Sequence, residues 1–217
     1  MSDLEYSVRR SSRARRVLVT VDARDGVEVV LPKRAAEREA AAAIAELRPW
    51  IEKRLREAAA VRDALALRGA SVPFLGRTLA LIHQDGRSRV HRRGDTLLVP
   101  AGDHRPALER WFRRVAREDI TGRLDRATAA AGRPYAGLTI RGQRTRWASC
   151  SAEGTMSFNW RLMLAPEEVV DYVVWHEVCH LEVHDHSRRF WKLLESRCPD
   201  YRLHSAWLRR HGATLVL

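Results

Sequence analysis

Three features of the chain predict an α+β fold. Short apolar or alternating stretches, bounded by Gly, Asp and Pro turn signals, recur over residues 6–99 and 138–160. Segments rich in alanine and arginine, with helical periodicity, occupy residues 35–67 and 106–131. Near the C-terminus an almost wholly apolar helix is expected, and it carries His176-Glu177-Val178-Cys179-His180. A chain of 217 residues suits one large domain or two small ones. A β-rich region with a helical hairpin is expected over 1–104, packed with a core over 105–217.

The first strands are expected at Tyr6–Arg10 and Arg16–Val21, where Val17, Val19 and Val21 alternate. The Asp22–Gly26 turn leads to Val27–Leu31, and Pro32 ends this hairpin. Arg9, Arg10, Arg13, Arg15 and Arg16 crowd its start, as charges that keep a sheet edge from aggregating would. Residues 35–67 are expected as two helices broken at Arg48-Pro49, since proline disfavours helix in the residue before it. Trp50, Ile51, Leu55 and Ala58 would form their buried stripe. Strands at Val72–His83 and Val90–Val99 would continue the hairpin as an antiparallel meander. A long helix over Pro106–Ala131 should bury Leu108, Trp111, Phe112, Val115, Ile120 and Leu124, with Gly132 as its stop.

Strands are then expected at Leu138–Arg141, Arg146–Ser149 and Thr155–Trp160, the last two flanking a hairpin turn at Ser151–Gly154. Ala165-Pro166-Glu167-Glu168 opens the apolar helix: proline suits the first turn, and two acids complement the positive end of the dipole. Ser187 can cap a helix to about Arg197, and Pro199-Asp200 introduces a last one ending at Gly212.

Composition narrows the class. No apolar run is long enough for a transmembrane helix, and the start lacks the basic-then-apolar order of a signal peptide, so the cytoplasm is expected. Cys150, Cys179 and Cys198 are odd in number and widely spaced, which speaks against a disulfide framework or a cysteine zinc finger. The net charge of +12 is nearly all arginine. It can draw nucleic acid to the surface, although abundant alanine and arginine also suggest plain compositional bias.

The chemistry concentrates in residues 176–186, which hold four of the nine histidines. His176 and His180 lie four apart, share a helix face, and can grip one metal ion, with Glu177 beside them as a proton acceptor. A catalytic zinc site takes three protein ligands and leaves a position open. The third is expected beyond the helix: His186, if the Asp185–Ser187 turn swings it back, with His184 as the alternative. Burying two histidines and a glutamate in an apolar helix costs several kcal/mol unless they are paired or metallated, which favours a metal over a purely structural role. The reaction class is metal-assisted hydrolysis of a peptide bond, with Glu177 taking the proton of water and passing it to the leaving amine. Tyr201, His204, Arg146 and Asn159 are candidate oxyanion donors. Cys179 is expected as a small core residue.

Several segments together resemble one family: Arg146-Trp147-Ala148-Ser149-Cys150-Ser151, Met156–Leu162, Ala165-Pro166, Asp171–Leu181 and His186–Trp191. In them the chain is similar to the YgjP-like metallopeptidase domain, itself related to the SprT-like and WLM zinc peptidases. The likeness is most specific over residues 144–191, and the order of the elements extends it over most of the chain. It implies a zincin-like α+β core, with the active-site helix packed on a small antiparallel sheet, zinc held by His176, His180 and His186, and Glu177 as catalytic acid/base. Ala148 departs from the glycine usual in the family's Trp-Gly-Ser-Cys pattern, a matter of backbone packing rather than ligation. Relatives that act on DNA-bound proteins add interest to the basic charge by analogy only. In a zincin arrangement Thr155–Trp160 would be an edge strand over the cleft, where Ser157, Phe158 and Asn159 would meet a protein or peptide substrate.

Overall fold

The computed structural model describes residues 4–22, 26–143 and 145–217. Residues 1–3, 23–25 and 144 lie outside it, and with them the very N-terminus, the centre of the Asp22–Gly26 turn and Arg144. Two compact units divide after Leu67, not near residue 104 as the sequence suggested.

In the first unit, β1 (Ser7–Ser11), β2 (Leu18–Asp22) and β3 (Gly26–Pro32) form a sheet in the order β1-β3-β2. The expected β2–β3 pairing is antiparallel, but β1 runs parallel to β3 on its other side. Part of the arginine cluster is engaged: Arg9 pairs with Glu28 at 2.8 Å, and Arg10 donates to the carbonyls of Lys33 and Ala35. Helix α1 (Arg38–Arg68) runs unbroken through Pro49, so the expected helical hairpin is a single helix. Interior proline costs a helix about 3 kcal/mol. Burial of Ala40 and Ile44 before it and Ile51 after it, in one cluster with Val27, Val29 and Leu31, offsets that cost. Trp50, expected in the stripe, is exposed, with the Arg54 guanidinium over its ring.

The second unit opens with β4 (Ser71–Phe74), β5 (Arg77–Gln84), β6 (His91–Arg93) and β7 (Thr96–Pro100) in the order β4-β5-β7-β6. These strands do not continue the first sheet as a meander: they make their own mixed sheet, with β5 and β7 parallel. The physical reason is burial. Val72, Phe74, Leu79, Leu97 and Val99 share one core with Trp111 and Phe112 of α2 (Arg105–Ala131). Leu75 (φ 49°) and Gly76 (φ 78°) make the tight, left-handed β4–β5 turn. The Leu75 N–H donates to the Met163 carbonyl, which ties this sheet to the short 3-10 segment Trp160–Leu164.

Helix α2 buries the expected stripe, with Val115 only partly covered, and ends at Gly132 in the left-handed conformation (φ 64°). Strands β8 (Gly137–Arg141), β9 (Ala148–Cys150) and β10 (Thr155–Asn159) follow. Their order is β8-β10-β9, with β8 parallel and β9 antiparallel to β10. The sheet is therefore mixed, and Thr155–Asn159 is its centre rather than its edge. Helix α3 (Glu167–His180) packs among α2, α4 (Arg188–Arg197), α5 (Tyr201–His211) and the edge strand β9. No helix among the described residues is long and apolar enough to cross a membrane.

One polar contact inside this packing stands out. Arg123 of α2 is 7% exposed and bonds Asp119 of its own helix and Asp171 of α3, each at 2.6 Å. Glu167 lies at 3.5 Å. Removing a buried partner strands the remaining charges, but Asp171 and Glu167 keep access to water. Arg123→Ala should destabilise the protein by about 2–4 kcal/mol, and Arg123→Lys should recover only part, since one ammonium cannot serve three carboxylates in a planar fork. Thermal melting checks this; a parent-like midpoint for Arg123→Ala would show that the network contributes nothing.

Candidate metal centre

Helix α3 is apolar nearly all round because almost every face of it is covered: Val169, Val170, Val173, Val174 and Val178 are all buried. The Pro166 carbonyl accepts from the amides of Val169 and Val170 at its start, where Glu167 and Glu168 face the positive end of the dipole. His176 and His180 stand one turn apart with ring centroids 5.0 Å from each other.

The helix stops at His180, and the chain turns back so that the Val183 amide donates to the Cys179 carbonyl. That turn brings the Val183 carbonyl to 3.0 Å from His180 Nδ1. Donation there fixes the tautomer and leaves the Nε2 lone pair free to bind a metal. Next, the Asp185 carboxylate accepts from the Ser187 amide at 3.1 Å, and this Asx-type turn throws His186 back over α3. Hydrogen bonds from Ser187 hold the Asp185 carboxyl below its ordinary value. Ser187 is the N-cap residue of α4, although its hydroxyl makes no capping bond.

His186 Nε2 arrives 3.0 Å from His176 Nε2. Nitrogen atoms of His176, His180 and His186 lie within 4.8 Å of one another. His184 is exposed, borders the same pocket, and does not join this group. Beneath all three rings lies Phe190 of α4, fully buried, with centroids 4.9, 4.5 and 4.8 Å from those of His176, His180 and His186. Sequence reasoning assigned Phe190 no role; its place in the first turn of α4, four residues after His186, was the available signal.

Glu177 is 5% exposed and faces β9. The register of β9 against β10, with the Ser151 amide bonded to Thr155 and the Asn159 amide to Trp147, turns the peptide groups of Ala148 and Cys150 away from β10. Accordingly, the Cys150 N–H is directed at the Glu177 carboxylate. Burial pushes the Glu177 carboxyl up to about 8, against the charge of Arg146 and that N–H. A divalent cation on the neighbouring histidines would pull it back down. Burial, with the charges of His180 and His186, pushes His176 down to about 3, so it is the neutral imidazole that a metal requires. Burial also pushes the Cys150 and Cys179 thiols up to about 11, which leaves both poor nucleophiles.

An open pocket of about 340 Å³ lies between Ala148, Ser149 and Cys150 on one side and His176, Glu177 and His180 on the other. The three expected substrate residues are not in it. Ser157, Phe158 and Asn159 lie on the central strand, 9%, 0% and 2% exposed, because β8 and β9 cover both edges of β10. Asn159 is a brace instead. Its amide NH2 donates to the Gln143 carbonyl at 2.7 Å and its side-chain oxygen accepts from the Arg161 amide, so it anchors the loop that leads into β9. With both ends engaged it is no oxyanion donor. The hydroxyl of the buried Tyr201 accepts from Arg202 Nε at 3.1 Å, and the His204 ring lies 6.4 Å from that of Tyr172. Of the four candidates, Arg146 is the one whose charge reaches Glu177.

The residues fit a metal. Two nitrogens each about 2.0–2.1 Å from one tetrahedral ion stand about 3.3 Å apart, close to the His176–His186 separation. One ring is locked by a backbone carbonyl, one is held neutral by burial, and a third closes the set.

Two solved structures share features of the chain. One is the metallopeptidase zymogen of Pyrococcus abyssi abylysin, 22% identical, covering 43% of this chain and 95% of its own, with a TM-score of 0.37. The other is the metallopeptidase zymogen of Methanocaldococcus jannaschii jannalysin, 18% identical, covering 41% and 94%, with a TM-score of 0.36. Among curated proteins none matches significantly. The profile of the YgjP-like metallopeptidase domain matches residues 15–211, nearly the whole chain, and it ends beyond α4 with every residue of the histidine cluster inside it. The chain therefore belongs to the YgjP-like metallopeptidase domain family.

Proposed function

We propose that the protein is a zinc-dependent peptidase of zincin-like arrangement. The observation that carries this is the convergence of three imidazole nitrogens beside a buried glutamate, under the outward edge of a β-strand. His176, His180 and His186 would hold the ion. When bound, zinc supplies Lewis acidity, lowering the pKa of water and polarising a carbonyl. Glu177 takes a proton from the attacking water and delivers it to the leaving amine nitrogen. Arg146, whose charge reaches Glu177, favours the carboxylate form that accepts the first proton. Strand β9, not β10, holds the substrate: the N–H and carbonyl of Ala148 and the carbonyl of Cys150 point outward, and an extended chain can add to them. Three free thiols suit a reducing compartment, in keeping with a cytoplasmic enzyme.

Glu177→Gln should retain zinc and lose peptide cleavage by about 10²–10⁴-fold, the usual weight of a general base. Cleavage at the parent rate, with zinc content measured alongside, would remove Glu177 from that role. His186→Ala should weaken zinc binding by at least about 100-fold in competition with a chelator, while His184→Ala should bind as the parent does. The reverse ranking would make His184 the ligand. Ala148→Pro removes an outward N–H without touching the ladder to β10, a substitution that edge strands tolerate. It should lower kcat/KM about tenfold at unchanged zinc content, since a single charge-free hydrogen bond is worth about 0.5–1.5 kcal/mol. Parent-like kcat/KM would dismiss β9 as the docking edge.

A further inference from the structure

A second recess, of about 180 Å³, opens beside the metal pocket. It shares Ala148, His176 and Glu177 with that pocket, so it borders the reacting centre. Its remaining walls are Trp147, Tyr172, Val173 and Leu208. Tyr172 and Val173 sit one turn before His176 and Glu177, and Trp147 sits at the start of β9. The recess therefore lies toward the beginnings of α3 and β9, while the metal pocket extends toward their ends.

The lining decides what can enter. The Tyr172 hydroxyl is directed toward Ser205, which leaves the ring as an apolar wall. The walls outside the reacting centre carry no charge, so a charged side chain would leave water without a partner. A closed cavity of about 150 Å³ accepts a benzene ring, and this recess is slightly larger. The Trp147 wall is backed by Gly212, just past the end of α5: a Cβ there would come within 2.9 Å of Trp147 Cζ2. Antiparallel pairing is the stronger mode of strand addition. A peptide antiparallel to β9 runs toward the start of that strand, and there the residue after the scissile bond meets the recess.

We propose that this recess is the specificity pocket, and that it selects substrates with a Leu-, Met- or Phe-sized apolar side chain directly after the cleaved bond. The proposal rests on the peptidase reading above. The test uses the full zinc-loaded chain and a proteome-derived peptide mixture, with new N-termini identified by mass spectrometry and Glu177→Gln as the blank. The parent should yield fragments that begin with Leu, Met or Phe. Leu208→Trp fills the recess, and Gly212→Ala presses Trp147 into it from behind. Each should shift preference toward Ala or Ser by about tenfold or more, measured as the kcat/KM ratio of peptide pairs that differ only at that residue. Leu208→Ala should admit Trp. Parent cleavage with no apolar preference at that position overturns the proposal while leaving the peptidase reading intact. So does an equal loss on all peptides in all three variants. A parent that yields no fragments beyond the blank overturns the peptidase reading, and the pocket with it.

Discussion

The second unit meets one electrostatic constraint: three imidazoles face each other next to a buried carboxylate, two of them carried by a helix that is largely closed to water. Left in water the rings would titrate near neutrality and repel once protonated. Here Phe190 lies under all three rings, and the apolar helix α3 carries two of them into the interior. Desolvation then keeps His176 neutral and raises the Glu177 carboxyl. An apolar interior with no cation is a poor place for these groups, and their mutual orientation suits a preformed ligand set.

The sheet above meets a second constraint, that strand edges are adhesive. Its two edges are treated differently. On β8, Arg117 donates to the Leu138 carbonyl and Arg113 lies 3.5 Å from that of Ile140, so α2 occupies that side with guanidinium groups. On β9, the Cys150 amide faces Glu177 at the floor of an open pocket. The edge that could capture a peptide is thus the one where a peptide would meet the metal site.

Much of this was legible in the chain, and the failures have physical causes. The periodicity of α2, its glycine stop, the apolar α3 and the H-E-x-x-H spacing are local signals, and local signals survived folding. His186 was also within reach, because the Asp185–Ser187 turn is encoded by neighbouring residues. The order of β8, β9 and β10 was not. All three are short and partly apolar, and the parallel pairing of β8 with β10 depends on α2 covering one edge. Reading β10 as the edge therefore sent Ser157, Phe158 and Asn159 to the substrate when the core had already claimed them. Pro49 misled for the opposite reason, since burial of Ile44 and Ile51 overrode a correct local preference. The backbone partners of the site, Val183 and Cys150, act through a carbonyl and an amide that no side-chain pattern encodes.

The three histidines are not held alike, and that shapes how metal and fold must be coupled. His176 and His180 ride on a helix that is clamped near its start through Asp171 and Arg123 and walled in by α2, α4 and α5. His186 sits on an exposed turn, fixed by one Asx bond and by its packing on Phe190 and Trp191. On the zinc reading the rigid pair supplies precision, and His186 as third ligand joins α4 to α3. Metal binding energy would then flow into the α3–α4 junction rather than into the α2–α3 clamp. Losing the ion should loosen the segment from Val183 to Phe190 while the valine-packed body of α3 stays in place, because that body owes its stability to burial and needs no metal to keep it.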